Sequence, residues 1–478
     1  MKLVYDVSDK PKFSKTIVFA FQQMIAIMAA TLLVPMIVSS YGLEADPAAA
    51  LFGAGIGTLV YIFFTKKKSP VFLGSSFTFL GAYSASIGQN FGYLGIIVGV
   101  LFAGLVYVVI GLIIKGVGSG WVNKLMPAVI IGPIVALIGL SLSGTATGWM
   151  ASNGGDNYSL LTILVGAVTF FAIVIAAVKG SQNVKLIPFI VGIGVGYVFA
   201  LILTLIGIGA GEESMQILSF DSFKSAFVPF SVASIVKMPD FFFLKAIQEK
   251  GWETLSATDI GSIALIYVPI GVVELAQHIA DHKNLGNIIN KDLITDPGLD
   301  NTLFGDGVGS IVGSIFGGAA NTTYGESIGC VAITGNASIV SIITAAIGCM
   351  VLSFFTPFVA LINSIPKCVM GGACVALYGF IAVSGLQMLR KVDLNNSKNL
   401  FIVSGILVTG IGGLTLQFGF NEMTQGPVLT VTSLAVALLF GIVTNLIVNN
   451  GKLVADSSET DGNTNPPRNN SKKGNHHK

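Results

Sequence analysis

The chain has 478 residues, 53% of them hydrophobic and only 10% charged, with a formal net charge of +2. A soluble globular domain carries about 25% charged residues, so this balance, with a mean hydropathy of +0.80, excludes one and describes a polytopic membrane protein. The net charge says little by itself; the positions of the lysines say more.

The polar, lysine-bearing N-terminus runs into an apolar span at 17–39, long enough to remain as a membrane helix instead of being cleaved as a signal peptide. Further apolar runs lie at 48–65, 72–88, 92–114, 125–143, 158–178 and 186–208. After a polar and aromatic connection at 209–260 come 261–280, 304–319, 322–336, 337–357, 364–386, 398–417 and 427–448. The reading is fourteen transmembrane segments, the third, ninth and tenth too irregular to be ordinary spans. With the N-terminus inside, this count puts 21 of the 26 Lys and Arg on the cytoplasmic side, as the positive-inside rule asks, and leaves both termini cytoplasmic. The 209–260 connection then lies outside, as a lid or hairpin over the gate. Residues 451–478, rich in Ser, Asn, Lys and Pro, read as a disordered tail.

The chain also repeats. Pro127, Gly132, Ala136, Leu137 and Gly139 recur as Pro366, Gly371, Ala376, Leu377 and Gly379, and seven spans per half invert the second copy. Inverted repeats mark alternating-access transporters, whose sites lie at broken helices in corresponding positions of the two halves. In the third segment Pro70 and Gly74 break the apolar run, and Phe77 offers a flat aromatic face. In the tenth the run Asn321-Thr-Thr-Tyr-Gly-Glu326 interrupts it. Extended backbone in lipid leaves N–H and C=O groups unpaired, so the two breaks must pair with each other or line a cavity. Thr323-x-x-Glu326 reads as a capping box that starts a half-helix at Thr323, running to about Gly335. Thirteen residues give roughly 20 Å, short of the ~30 Å hydrocarbon core. A carboxylate at that depth is a functional group by default; the competing reading is a helix cap at the water interface.

A second polar constellation ends the eighth span. Glu274, Gln277, His278 and Asp281 fall at helical spacings of three and four, giving one polar face on a membrane helix. His282 and Lys283 read instead as the cytoplasmic end of the span. The cluster lacks a third ligand at metal-binding spacing, and Cys330, Cys349, Cys368 and Cys374 sit in or beside apolar runs as small buried hydrophobes. No cofactor is called for, and no catalytic set of an enzyme is visible.

Gln22-Gln23 with Leu33-Val34-Pro35, Leu73-Gly-Ser-Ser-Phe77, the eighth span, Lys291-Asp-Leu-Ile-Thr-Asp-Pro-Gly-Leu299 and Asn321-Thr-Thr-Tyr-Gly-Glu326 together resemble the nucleobase–ascorbate transporter family, its bacterial uracil permeases in particular. The resemblance spans residues 15–450. It implies an all-α 7+7 inverted repeat with short strand and half-helix elements in segments 3 and 10. The core domain would hold 1–118 and 261–358, the gate domain 119–208 and 359–450, with 209–260 extracellular and 451–478 a cytoplasmic tail.

It further implies a bacterial plasma-membrane importer of uracil, driven by protons through elevator-like alternating access, without nucleic-acid partners. Backbone N–H groups near Phe77 and Gly325 would donate to the base, Glu326 would accept from a ring N–H, and Gln277 would make the second major contact. The family pattern has Glu where this chain has Gln277, and His where it has Gln23. Gln bonds a planar imide but cannot take up a proton. Coupling then falls to Glu326, Glu274, His278 or Asp281, or the protein is a weakly coupled facilitator. A xanthine or oxopurine substrate and an anion carrier of related fold stay open, as does a homodimer through glycine-rich gate spans.

Overall fold

A computed structural model describes residues 3–118, 121, 127–153, 155, 157–185, 187–390, 392–419 and 429–449; the tail at 451–478 lies outside them. Helices dominate. The longer ones, in chain order, are α1 (Phe13–Ser40), α2 (Pro47–Phe64), α3 (Leu80–Gly88), α4 (Gly92–Val117), α5 (Ala128–Ser141) with its continuation α6 (Ser143–Ser152), α7 (Leu160–Lys179) and α8 (Pro188–Ala210). Then follow α9 (Ala257–Ile289), α10 (Leu299–Gly317), α11 (Gly325–Thr334), α12 (Ile339–Leu352), α13 (Lys367–Leu389), α14 (Ser397–Ile411) and α15 (Ser433–Val448). Among the described residues, eight stretches are long and apolar enough to cross a membrane: α1, α2, α4, the α5–α6 unit, α7, α8, α9 and α13.

Two breaks interrupt this helical stack. Strand β1 (Leu73–Ser75) precedes α3, and strand β2 (Asn321–Thr323) precedes α11. They pair antiparallel, Leu73 opposite Thr323 and Ser75 opposite Asn321. The extended backbones do satisfy each other, as the cost of bare amides in lipid demands.

The ninth segment differs from expectation. α10 is an unbroken helix of 19 residues, not an irregular one. Its glycines serve packing. A Cβ on Gly57 would lie 2.7 Å from Gly309 O, one on Gly104 2.7 Å from Gly307 O, and one on Gly317 2.7 Å from Ala50 Cα. α10 thus lies backbone to backbone against α2 and α4, the arrangement small residues allow where lipid removes any hydrophobic drive between helices. The eighth segment is also longer than its apolar run. α9 continues to Ile289, so Asp281 and His282 lie inside it and His282 is buried. His282 therefore does not mark the helix end.

The repeated Pro127 and Pro366 both stand just before a helix, α5 and α13. These two helices pack antiparallel: Gly132 faces Gly385 and Leu389, and Gly139 faces Tyr378 and Ala382. At the far end of the chain, α14 stops at Ile411 and strands β3 (Leu416–Phe418) and β4 (Leu429–Val431) pair antiparallel before α15. Both were expected to be helical.

The two faces of the molecule are tied by different segments. On one, residues 4–7 run alongside 335–339, with Val4 N–H on Gly335 O (2.8 Å) and Ile339 N–H on Val7 O (3.1 Å). Lys291 pairs with Asp6 (2.8 Å) and Lys68 with Asp296 (2.6 Å). The Lys291 ammonium beside Asp6 holds that carboxyl below its ordinary value. On the other face, 211–256 forms no hairpin. It carries short helices at Asp221–Phe227, Phe242–Gln248 and Gly251–Thr254. Its start packs on α8 through Thr204, and its later part on α2 and α10 through an aromatic cluster of Phe241, Phe52 and Phe316.

Gly57 links packing to the strand pair, because its missing Cβ leaves room for Asn321 Nδ2 at 2.6 Å as well as Gly309. Gly57→Val is expected to cost about 1–3 kcal/mol by overpacking. Thermal unfolding in detergent should show a lowered midpoint, and an unchanged midpoint would refute the close approach.

Candidate functional site

The strand pair is held on every side. Ser76 N–H extends the ladder to Ala320 O (2.8 Å), and Tyr324 N–H reaches Phe72 O (3.2 Å). On the outer edge of β1, Leu73 N–H donates to Thr58 Oγ1 (2.9 Å) and Phe72 N–H to Ser327 Oγ (2.9 Å). Asn321 Nδ2 donates to Gly53 O (2.9 Å), and its carbonyl accepts from Ser310 Oγ. Tyr324 O–H closes onto Ser75 O (2.6 Å), and Tyr83 O–H accepts Ala320 N–H (2.6 Å). Gln23 donates to Ser327 Oγ, which fixes the first turn of α11 from α1.

α11 begins at Gly325, after Tyr324, and no side chain caps it. The capping box expected at Thr323 does not form. Thr323 is extended in β2, and its hydroxyl donates to Asp281 Oδ2 (2.9 Å) instead. The strand pairing claims the backbone that a cap would need. The half-helix itself is present, ten residues ending at a left-handed Gly335. Its first N–H groups have no partner within the helix and carry the positive end of its dipole.

Those N–H groups meet a cavity of about 380 Å³. Phe77, Gln277, Gly325 and Glu326 all line it, as does Asp281. One wall comes from α1, residues 76–78, α9, β2 and α11; the other from α5, α8 and α13. Phe77 meets Tyr378 of α13 edge to face, centroids 5.7 Å apart. The cavity extends to Lys185, at the end of a short helix (Gln182–Lys185) before α8, and to Met388, near the end of α13. Lys185 is the one Lys or Arg lining it among the described residues, a feature the sequence spacing does not reveal.

The polar face of α9 divides. Gln277 and Asp281 face the cavity. Glu274 lies behind the strands, 2% exposed, and accepts from Ser76 Oγ (2.8 Å). His278 turns to α10, its Nδ1 2.6 Å from Asp306 Oδ2 and its Nε2 3.1 Å from Thr302 Oγ1. His282 Nδ1–H donates to His278 O (2.7 Å), and its Nε2 meets Tyr61 O–H (2.6 Å). Asp306 is the site residue that spacing does not find. The available signal was a carboxylate inside an apolar, glycine-rich run.

Residues 14–419 match the Permease family. A uracil permease of Bacillus caldolyticus is 37% identical over 452 residues, 94% of this chain and 95% of the relative. The uracil permease of Escherichia coli K12 is 30% identical over 459 residues, 95% of this chain and 97% of the relative. Among solved structures, the transmembrane domain of a cyanobacterial bicarbonate transporter, BicA, aligns with a TM-score of 0.57 at 15% identity, covering 85% of this chain and 98% of its own. A murine Solute Carrier 26 anion transporter, in an inward-facing state, aligns at 0.56 and 10% identity, covering 92% and 69%. At such identities these two show the fold alone.

A helical membrane domain whose paired breaks open on a mostly apolar cavity with a few polar groups is the framework of a multi-pass transport protein. The chain belongs to the Permease family, with bacterial uracil permeases among its relatives.

Asp306→Ala removes the partner of a fully buried imidazole. Breaking a buried pair on one side costs on the order of 3 kcal/mol. The variant should unfold at a clearly lower temperature than the natural protein, and equal midpoints would mean that His278 does not depend on Asp306.

Proposed function

We propose that the protein imports a nucleobase, uracil, across the bacterial plasma membrane by proton symport with elevator-like alternating access. The observation that carries this reading is the convergence of Phe77, Gln277, the α11 N-terminus and Glu326 on one cavity. Its size suits a small ligand, and it offers one aromatic face with few polar groups. Uracil is neutral and planar. The N–H groups near Phe77 and Gly325 donate to its carbonyls, Glu326 accepts from a ring N–H, and Gln277 makes the second contact. The uracil permeases among the relatives support the substrate class.

Fourteen segments arranged as two inverted halves fit the antiparallel packing of α5 on α13 and of β1 on β2. In this reading α1–α4 and α9–α12 form the core, α5–α8 and α13–α15 the gate, and the cavity lies on their boundary. A second cavity of about 320 Å³, lined by Glu44, Asp46, Lys237 and Lys367, sits between α1–α2 and the segment before α13. Two cavities on one boundary suit movement of core against gate. Under the orientation read from the whole chain's Lys and Arg, Lys185 is cytoplasmic and Lys237 and Lys367 are not, so in this reading the first cavity opens to the cytoplasm.

Gln277 carries no proton, so coupling passes to Glu326 or Asp281 in the cavity, or to Glu274 and His278 behind it. The second reading is a weakly coupled facilitator, favoured by Gln277. A xanthine or oxopurine substrate keeps the same site. Lys185 alone favours an anion, and Glu326 opposes it.

Glu326→Ala should insert normally and bind uracil at least about 10-fold more weakly, since the lost hydrogen bond to a charged acceptor is worth ~1.5–3 kcal/mol. Phe77→Ala should weaken binding by up to about 10-fold through the lost face. Equilibrium binding to purified protein reads both, and unchanged affinity removes that residue from the site. Uptake of labelled uracil into proteoliposomes, with and without an inward proton gradient, tests coupling. Gradient-driven accumulation by the natural protein is expected; accumulation only after Gln277→Glu would make the natural protein a facilitator. Xanthine uptake without uracil uptake would overturn the substrate.

A further inference from the structure

The connection between α8 and α9 leaves an apolar surface uncovered. Val228, Phe230, Val232, Ile235 and Val236 fall within nine residues of chain and all are exposed, Val232 to 82% and Phe230 to 70%. Apolar residues scattered singly over a surface need no explanation, whereas a contiguous run marks a surface that meets something apolar. The run is not loose chain. Ser231 N–H donates to Ser234 Oγ (3.0 Å), and Ser234 is buried, so the turn Val232–Ser234 has an inner and an outer side. Val236 then pairs antiparallel with Phe355. Around that pair, Lys237 N–H donates to Phe354 O (3.0 Å), Thr356 N–H to Ile235 O (3.0 Å) and Thr356 Oγ1 to Ala233 O (2.7 Å). The backbone is fastened just past the end of α12, and the apolar side chains are left facing out.

What they face follows from α12. One side of that helix, with Ile342, Ala345, Ala346 and Cys349, is buried, and the helix packs on α1 and α2. Its exposed apolar residues are Ile347 and Val351, four apart and therefore on one face. Phe355, four residues further on, is exposed in its turn. A membrane helix turns an uncovered apolar face to the acyl chains. The pairing of Phe355 with Val236 joins this lipid-facing stripe to the exposed run, so one apolar surface continues from the helix into the connection. The charges agree: residues 222–239 hold Lys224 and Lys237 and no Asp or Glu. An apolar segment with basic residues suits the boundary between acyl chains and anionic headgroups.

We infer that residues 228–236 are a membrane-interface anchor, with their apolar side chains in the headgroup–acyl boundary of the leaflet on the face away from the N-terminus. The competing cover is a second copy of the chain. In the division into core and gate proposed above, 211–256 runs from gate to core and 353–366 from core to gate, and the anchor lies where these two connections are hydrogen-bonded to each other. The anchor itself does not depend on that division.

The test is the collisional accessibility of a nitroxide label on the full chain, in liposomes of phosphatidylethanolamine and phosphatidylglycerol without nucleobase. Phe230→Cys and Val232→Cys are labelled one at a time. Glu213→Cys, at an exposed polar position of the same connection, is the reference, and the natural chain, whose four cysteines are buried, is the background. Labels at 230 and 232 are expected to respond to dissolved oxygen and to lose the response to a water-soluble nickel chelate that the label at 213 shows. A nickel response at 230 and 232 equal to that at 213 would place the run in water and overturn the anchor. Loss of both responses would mean that protein covers the run, as a second copy would, and would overturn it too. Val228→Cys repeats the measurement where either variant fails to fold.

Discussion

The structure depends on one constraint, that a peptide group surrounded by lipid must find its partner inside the protein. Two chain segments leave the helix at membrane depth, and each would be untenable alone. Three-residue strands at Leu73–Ser75 and Asn321–Thr323 answer each other, and hydroxyls of Thr58, Ser310 and Ser327 take the remaining edge groups. The result is a helix N-terminus that meets a cavity instead of lipid. The glycines of α2, α4 and α10 follow from the same need, because only bare backbone lets those helices close around the pair.

The polar groups of α9 are distributed by what stands opposite them. Gln277 and Asp281 look into the cavity; Glu274 and His278 are turned into the protein, against the back of β1 and against α10. A single helical face therefore serves both sides of the strand pair. Ser76, beside β1, is joined to Glu274 behind it.

Much of this was legible in the residues. Composition gave the membrane class, Pro70, Gly74 and Gly325 marked the breaks, and the i, i+3, i+4 spacing put Glu274, Gln277, His278 and Asp281 on one helix. Apolar runs were less reliable for boundaries. They ended the eighth span at residue 280, where polar residues begin, although α9 runs on to Ile289 because His282 finds Tyr61 and Asp281 finds Thr323. They made the ninth span irregular because glycine and Asp306 dilute it, although tight packing keeps α10 helical. They missed the β3–β4 pair.

What the sequence determined by itself is therefore local: where helices can form, where they must break, and which ionisable groups fall inside apolar segments. Those features depend on residue type and on spacing along one element. The tertiary structure alone decided partnership. Whether Thr323 caps a helix or joins a strand, whether His278 faces a ligand or Asp306, and whether His282 ends a helix or lies sealed within one depend on groups that are distant in sequence. A buried polar atom takes the partner that folding brings to it, and that choice is written in no single stretch of the chain.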